Sequence, residues 1–147
     1  MEFNLKTAQI YAQNGQISDW ANAYLTTGDW KNIGLSKGLK LEKRYWTDPV
    51  YVSLDSIKRC CGPEPEMPYQ QELASWERRV NKISESLSDI TQLPPLIVNY
   101  QDGDYIISDG NHRHEAIKRK GWTHCWVIIW YTSEADFMAR VYYQATK

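Results

Sequence analysis

The run Ile106-Ile107-Ser108-Asp109-Gly110-Asn111-His112-Arg113-His114-Glu115-Ala116-Ile117-Lys118-Arg119-Lys120-Gly121 passes from an apolar strand through a glycine turn straight into a helix. Ahead of it, Leu96 to Tyr100 and Tyr105 to Ile107 read as strands, and the Asp-Gly within Gln101-Asp102-Gly103-Asp104 is a strong hairpin signal. The chain here is therefore strand, tight turn, strand, helix. Such a junction leaves the first-turn N–H groups of the helix without intrahelical acceptors and pointing over the turn, an arrangement that suits a phosphate.

The flanking segments extend this into an α/β fold: a small mixed sheet with flanking helices and an N-terminal helical extension. Cys125 to Tyr131 is apolar on both faces, as an interior strand covered on both sides should be. Ser133-Glu134-Ala135-Asp136 opens a last helix with Phe137, Val141 and Met138 facing inward. Upstream, Leu5 to Gln13 forms a helix stopped by Asn14-Gly15, and Ser18 caps a second whose Trp20, Tyr24 and Leu25 make one apolar face. Gly28 to Arg44 has no steady period, and the sheet starts at Val50-Tyr51-Val52-Ser53-Leu54. The prolines of Cys60 to Pro68 make that segment a loop. From Gln70 to about Leu87, the residues Leu73, Trp76, Val80, Ile83 and Leu87 form the apolar stripe of a helix, and Pro94-Pro95 ends the region.

With 147 residues and 42% hydrophobic content there is one ordinary core, so residues 1–49 are expected to pack as an extension on a unit spanning 50–147. The formal charge of -1 argues against general nucleic-acid affinity, which comes mainly from Lys and Arg displacing counterions. No stretch approaches the roughly 20 apolar residues that span a bilayer, and the polar N-terminus lacks a signal-peptide run, so a cytoplasmic protein is expected. Adjacent Cys60 and Cys61 have poor geometry for a disulfide, and Cys125 sits in an apolar run.

Val52-Ser53-Leu54-Asp55-Ser56-Ile57 before a loop and helix, then Pro95-Leu96-Ile97-Val98, then Asp109-Gly110-Asn111-His112-Arg113-His114-Glu115-Ala116, resemble the ParB/sulfiredoxin superfamily, also described as the ParB-like nuclease domain. The resemblance spans roughly Val50 to Tyr131 and centres on a G-x-x-R-x-x-A pattern at Gly110, Arg113 and Ala116. It implies a turn that holds nucleotide phosphates: CTP in partition proteins, ATP in sulfiredoxin, ATP or ADP in free-serine kinases. Asn111 stands where sulfiredoxins carry their cysteine, so sulfinic-acid chemistry is not expected. The partition proteins' helix-turn-helix is not expected either, since the chain given ends soon after the motif.

The site residues follow from this turn. Gly110, Asn111, His112, Arg113 and His114 are expected to bind nucleotide phosphates, with Arg113 offering a planar fork of donors from an exposed turn. On that reading, replacing Arg113 removes affinity and leaves the fold intact. Asp109 is the candidate Mg²⁺ ligand beside ATP, ADP or CTP, and His112 a candidate acid or base. Glu64 and Glu66, on the proline loop, are candidate catalytic carboxylates, because the resembling kinases carry a hydroxyl-activating acid there. Phosphotransfer to a small-molecule acceptor, or nucleotide hydrolysis, is the leading expectation. A nuclease or other DNA-binding protein gripping a backbone phosphate, and a non-catalytic nucleotide sensor, stay open as alternatives. A zinc site at His112, His114, His124 and Cys125 is disfavoured by spacing, since adjacent strand residues point to opposite faces.

Overall fold

The computed structural model describes residues 1–28 and 31–145, with side chains described as far as Arg140. Three helices come first: α1 (Leu5–Gln13), α2 (Ile17–Thr27) and α3 (Ile33–Leu39). Asn4 and Thr7 close a reciprocal capping box on α1. The second helix begins one residue before Ser18, with Gln16 at its cap, so Ser18 lies inside the first turn and caps nothing. The short α3 falls within the stretch that shows no period; Asn32 caps it by accepting from Leu35 N–H.

The mixed α/β sheet is built from β1 (Tyr45–Trp46), β2 (Val50–Ser53), β5 (Leu96–Gln101), β6 (Asp104–Asp109) and β7 (His124–Tyr131). It runs β1-β7-β5-β6, with β2 also on β7, so the sheet starts before Val50, at Tyr45. Strand β7 is interior, as its two apolar faces require: it pairs parallel with β5 and antiparallel with β1 and β2. The β5–β6 hairpin turns on Asp102 and Gly103, both at positive φ (51° and 92°), which is the backbone of a type I′ turn.

Each sheet face carries its own core. On one, Ile97, Ile128 and Trp130 pack against Ala8, Trp20, Ala21, Tyr24 and Leu25 of the N-terminal helices, with Trp20 stacked on Tyr24 at 5.4 Å. On the other, Val98, Ile107, Val127 and Ile129 meet Leu54, Leu87 and Ile117. Helix α5 (Asn111–Arg119) covers this second face, and α4 (Leu73–Ser86) lies on α5 through Trp76, Val80, Ile83 and Ala116. Leu73 is 61% exposed and drops out of the predicted stripe, because the helix begins at that residue. Helix α6 (Glu134–Ala145) brings Phe137 onto Tyr45 and Tyr131, but Met138 is 58% exposed rather than inward; the Val141 side chain lies outside the described residues. Between Cys60 and Gln71 the proline loop closes on itself through two short parallel pieces, β3 (Cys61–Gly62) and β4 (Tyr69–Gln70).

Candidate functional site

The junction from β6 to α5 has the geometry its sequence requires. Gly110 caps α5 at φ 115°, a conformation L side chains rarely adopt, and the helix then rises with the N–H groups of its first turn free of intrahelical partners. They open onto a pocket of about 830 Å³. Its wall includes Ser108, Asp109, Gly110, Asn111 and His112 from the junction, Cys60, Cys61, Tyr69 and Gln71 from the proline loop, Arg79 and Lys82 from α4, and Lys31 and Asn32 at the start of α3. Three cations therefore share the wall with the helix N-terminus, and Asp109 is the only carboxylate among the described residues of the wall.

Arg113 does not line this pocket. Its side chain is 4% exposed and turns under the junction, where Nη1 donates to the Pro94 and Pro95 carbonyls and Nη2 donates to Asp109 Oδ2 at 2.9 Å. The guanidinium also lies 5.4 Å from the Tyr24 ring centre. Its fork is filled by the protein, so in this structure it is a clamp joining β6, the entry to β5 and α2. His114 is likewise structural: its Nε2 lies 3.0 Å from the Leu54 carbonyl, which makes that nitrogen the donor. Asn111, 6% exposed, accepts from Cys60 N–H at 2.9 Å and from Cys61 N–H at 3.4 Å, and so fastens the proline loop over the helix. Of the five residues expected to hold phosphate, Gly110, Asn111 and His112 reach the pocket and Arg113 and His114 do not.

The two loop carboxylates are also placed elsewhere. Glu64 is ion-paired to Arg59, whose guanidinium sits 4.9 Å from the Trp76 ring centre, and Glu66 is exposed on the outer side of the loop; neither lines the pocket. Among the described residues there is no preformed Mg²⁺ cage. Among the described residues no three His, Cys, Asp or Glu side chains converge, and Asp109 already accepts from Arg113. A resident ion does not fit this donor set; a divalent cation could enter only with a phosphate that brings its own oxygens.

The sequence reading passes over Cys60, Cys61, Arg79 and Lys82. Helical spacing from Trp76 puts Arg79 and Lys82 off the buried stripe, and only the packing of α4 on α5 shows that they face the turn. At the turn, the His112 ring lies 4.5 Å from that of Trp76. Burial, followed by the charges of Arg79, Arg113 and Arg59, pushes its imidazole down to about 4. His114 is also lowered, chiefly by burial.

A pH dependence follows. Both imidazoles take up protons more readily in the unfolded chain, so as pH falls below the ordinary His value near 6.5 the unfolded state binds more protons, for His112 down to its folded value near 4. Their contribution is complete above about pH 6.5 and is lost as pH falls. For the partly solvated His112 this amounts to about 1–2 kcal/mol. Chemical denaturation from pH 7 to 4 should show this loss, and His112→Gln should flatten it; an NMR midpoint near 6.5 for His112 would contradict the assignment.

No protein-family model matches the chain, and no curated protein matches it. Solved structures are similar to it at low identity. One is sulfiredoxin from Arabidopsis thaliana, 22% identical with a TM-score of 0.45, over 63% of this chain and 96% of that one. Another is the C-terminally truncated chromosome-partitioning protein ParB from Caulobacter crescentus complexed with CTP-gamma-S, at 20% and 0.41, over 59% of this chain and 46% of that one. A third is free serine kinase in complex with AMP, at 19% and 0.38, over 55% of this chain and 30% of that one. This chain thus spans less than half the length of the second and third. No helix among the described residues is long and apolar enough to cross a membrane.

Proposed function

We propose that the pocket at the start of α5 binds a nucleotide, with its phosphates over the Gly110 turn and its charge met by Arg79, Lys82 and Lys31. The observation that supports this is the convergence of the free first-turn N–H groups of α5 with three cationic side chains around one pocket. ATP, ADP and CTP are the ligands to try, as the sequence resemblance implies. In this reading residues 50–147 form the nucleotide-binding unit, and the extension 1–49 adds Lys31 and Asn32 to its rim.

Binding is favoured over phosphoryl transfer. The described pocket wall offers no carboxylate free of a partner to activate an acceptor hydroxyl, and an imidazole held near 4 is a weak base at neutral pH. A backbone phosphate of DNA would meet the same N–H groups, but a chain of net charge -1 offers few counterion-displacing contacts beyond the pocket.

Calorimetric titration of ATP, ADP and CTP, each with and without Mg²⁺, tests the proposal against a labelled duplex over a salt series. The Arg79→Gln, Lys82→Gln double variant should bind about a hundredfold more weakly, because each substitution removes a charge-assisted hydrogen bond to phosphate worth about 1.5 kcal/mol. It should also stay folded, because both side chains are exposed. Unchanged affinity in that variant, or duplex binding tighter than nucleotide binding at physiological salt, would overturn it.

A further inference from the structure

We propose that Cys60 is a nucleophilic thiol of this pocket that forms a mixed disulfide with a small anionic disulfide; the choice of an anionic partner rests on the cation-lined pocket described above. Cys60 and Cys61 both lie on the pocket wall, beside the N-terminus of α5. The buried Asn111 amide joins that helix to the thiol: its Oδ1 holds the two cysteine N–H groups, which leaves Nδ2 facing Cys60 Sγ at 3.6 Å. A donor, a helix N-terminus and nearby cations are the surroundings that favour a thiolate.

The charged groups around Sγ do not cancel this. Arg79, Lys82 and Lys31 share the wall, whereas Arg59 on the same loop is paired to Glu64 and adds no net charge; Asp109 is the one carboxylate among the described residues of the wall, and Arg113 neutralises it. His112 is uncharged at neutral pH. The neighbouring Cys61 thiol brings Cys60 down to about 6; burial opposes it and Asn111 assists. The Ile107 carbonyl, 3.1 Å from Sγ, favours the protonated thiol. Cys61 correspondingly holds its proton above the usual range, and burial pushes Cys125 up to about 12, so the three thiols are sharply unequal.

In the reaction the Cys60 thiolate attacks one sulfur of the disulfide. A new S–S bond forms, the original one breaks, and the departing thiolate carries off the electron pair and is protonated by solvent. Cys60 is thereby oxidised and half of the incoming disulfide reduced. At pH 6 about half of such a thiol is ionised, against about one part in three hundred for an ordinary one; the lower nucleophilicity of the less basic sulfur offsets part of this, leaving about a tenfold advantage.

The test compares oxidised glutathione, which is anionic, with cystamine, which is cationic, on the full chain, with intact mass and peptide mapping as readout. One adduct is expected, on Cys60. Relative to free cysteine, oxidised glutathione should be preferred by about tenfold, the low end of electrostatic steering, and the Arg79→Gln, Lys82→Gln variant should lose that preference. Cys61→Ala should slow the reaction at pH 6, whereas Cys61→Ser, which can still donate, should retain it. First modification at Cys61 or Cys125, a rate midpoint at the ordinary thiol value of about 8.5, or no preference between the two disulfides would overturn the proposal. Failure of every nucleotide to bind, with Cys60 still reacting selectively, would instead remove the nucleotide reading and leave this one standing.

Discussion

Arg113→Ala is expected to destabilise the fold by about 3–5 kcal/mol, the usual cost of removing one partner from a buried ion pair. The substitution strands three acceptors at once: Asp109 Oδ2 and the carbonyls of Pro94 and Pro95. With a urea slope of about 1–3 kcal/mol/M, the unfolding midpoint should fall by about 2 M, or the chain should be unfolded without denaturant. Arg113→Lys keeps the charge but replaces a planar fork by a point donor that cannot reach all three oxygens, so it should recover only part of the loss. An exposed phosphate-binding arginine would behave in the opposite way, with weaker affinity and an unchanged midpoint.

The clamp role of Arg113 is hidden from the sequence for a physical reason. The strand, turn and helix around Gly110 depend on neighbours in the chain, and the Asp-Gly hairpin, the interior β7 and the α4 stripe are readable on the same grounds. The direction of the Arg113 side chain depends on residues 18 and 19 positions away and on α2 beyond the sheet. One local clue is present: Asp109 and Arg113 are four apart, the spacing of an ion pair across one helical turn. Cys60 has no such clue. Its link to Asn111 spans 51 positions, and only the folded loop brings them together. Helix α3 is masked in the sequence because Gly34, Gly38, Ser36 and Lys37 interrupt its short apolar face of Leu35 and Leu39.

Gly110→Ala should be the second severe substitution, and its cost has two separable parts. The backbone sits at φ 115°, so any L side chain is strained there by about 1–3 kcal/mol. A Cβ would also lie 2.7 Å from Leu96 Cγ and 3.0 Å from Arg113 Nη2, driving a fully buried core residue and the clamp out of place, which adds about 1–3 kcal/mol of overpacking. Gly121 supplies the control. It has φ 80° but nothing within 4 Å of an added Cβ, so Gly121→Ala carries the strain alone, at about 1 kcal/mol. Urea unfolding of the two variants should therefore give a loss of about 4 kcal/mol at Gly110 and about a quarter of that at Gly121. Equal losses would show that Leu96 and Arg113 yield freely to a methyl group and that the clamp beneath the turn is slack. Unequal losses, with nucleotide affinity falling only in Gly110→Ala, would tie the packing under the turn to the pocket above it.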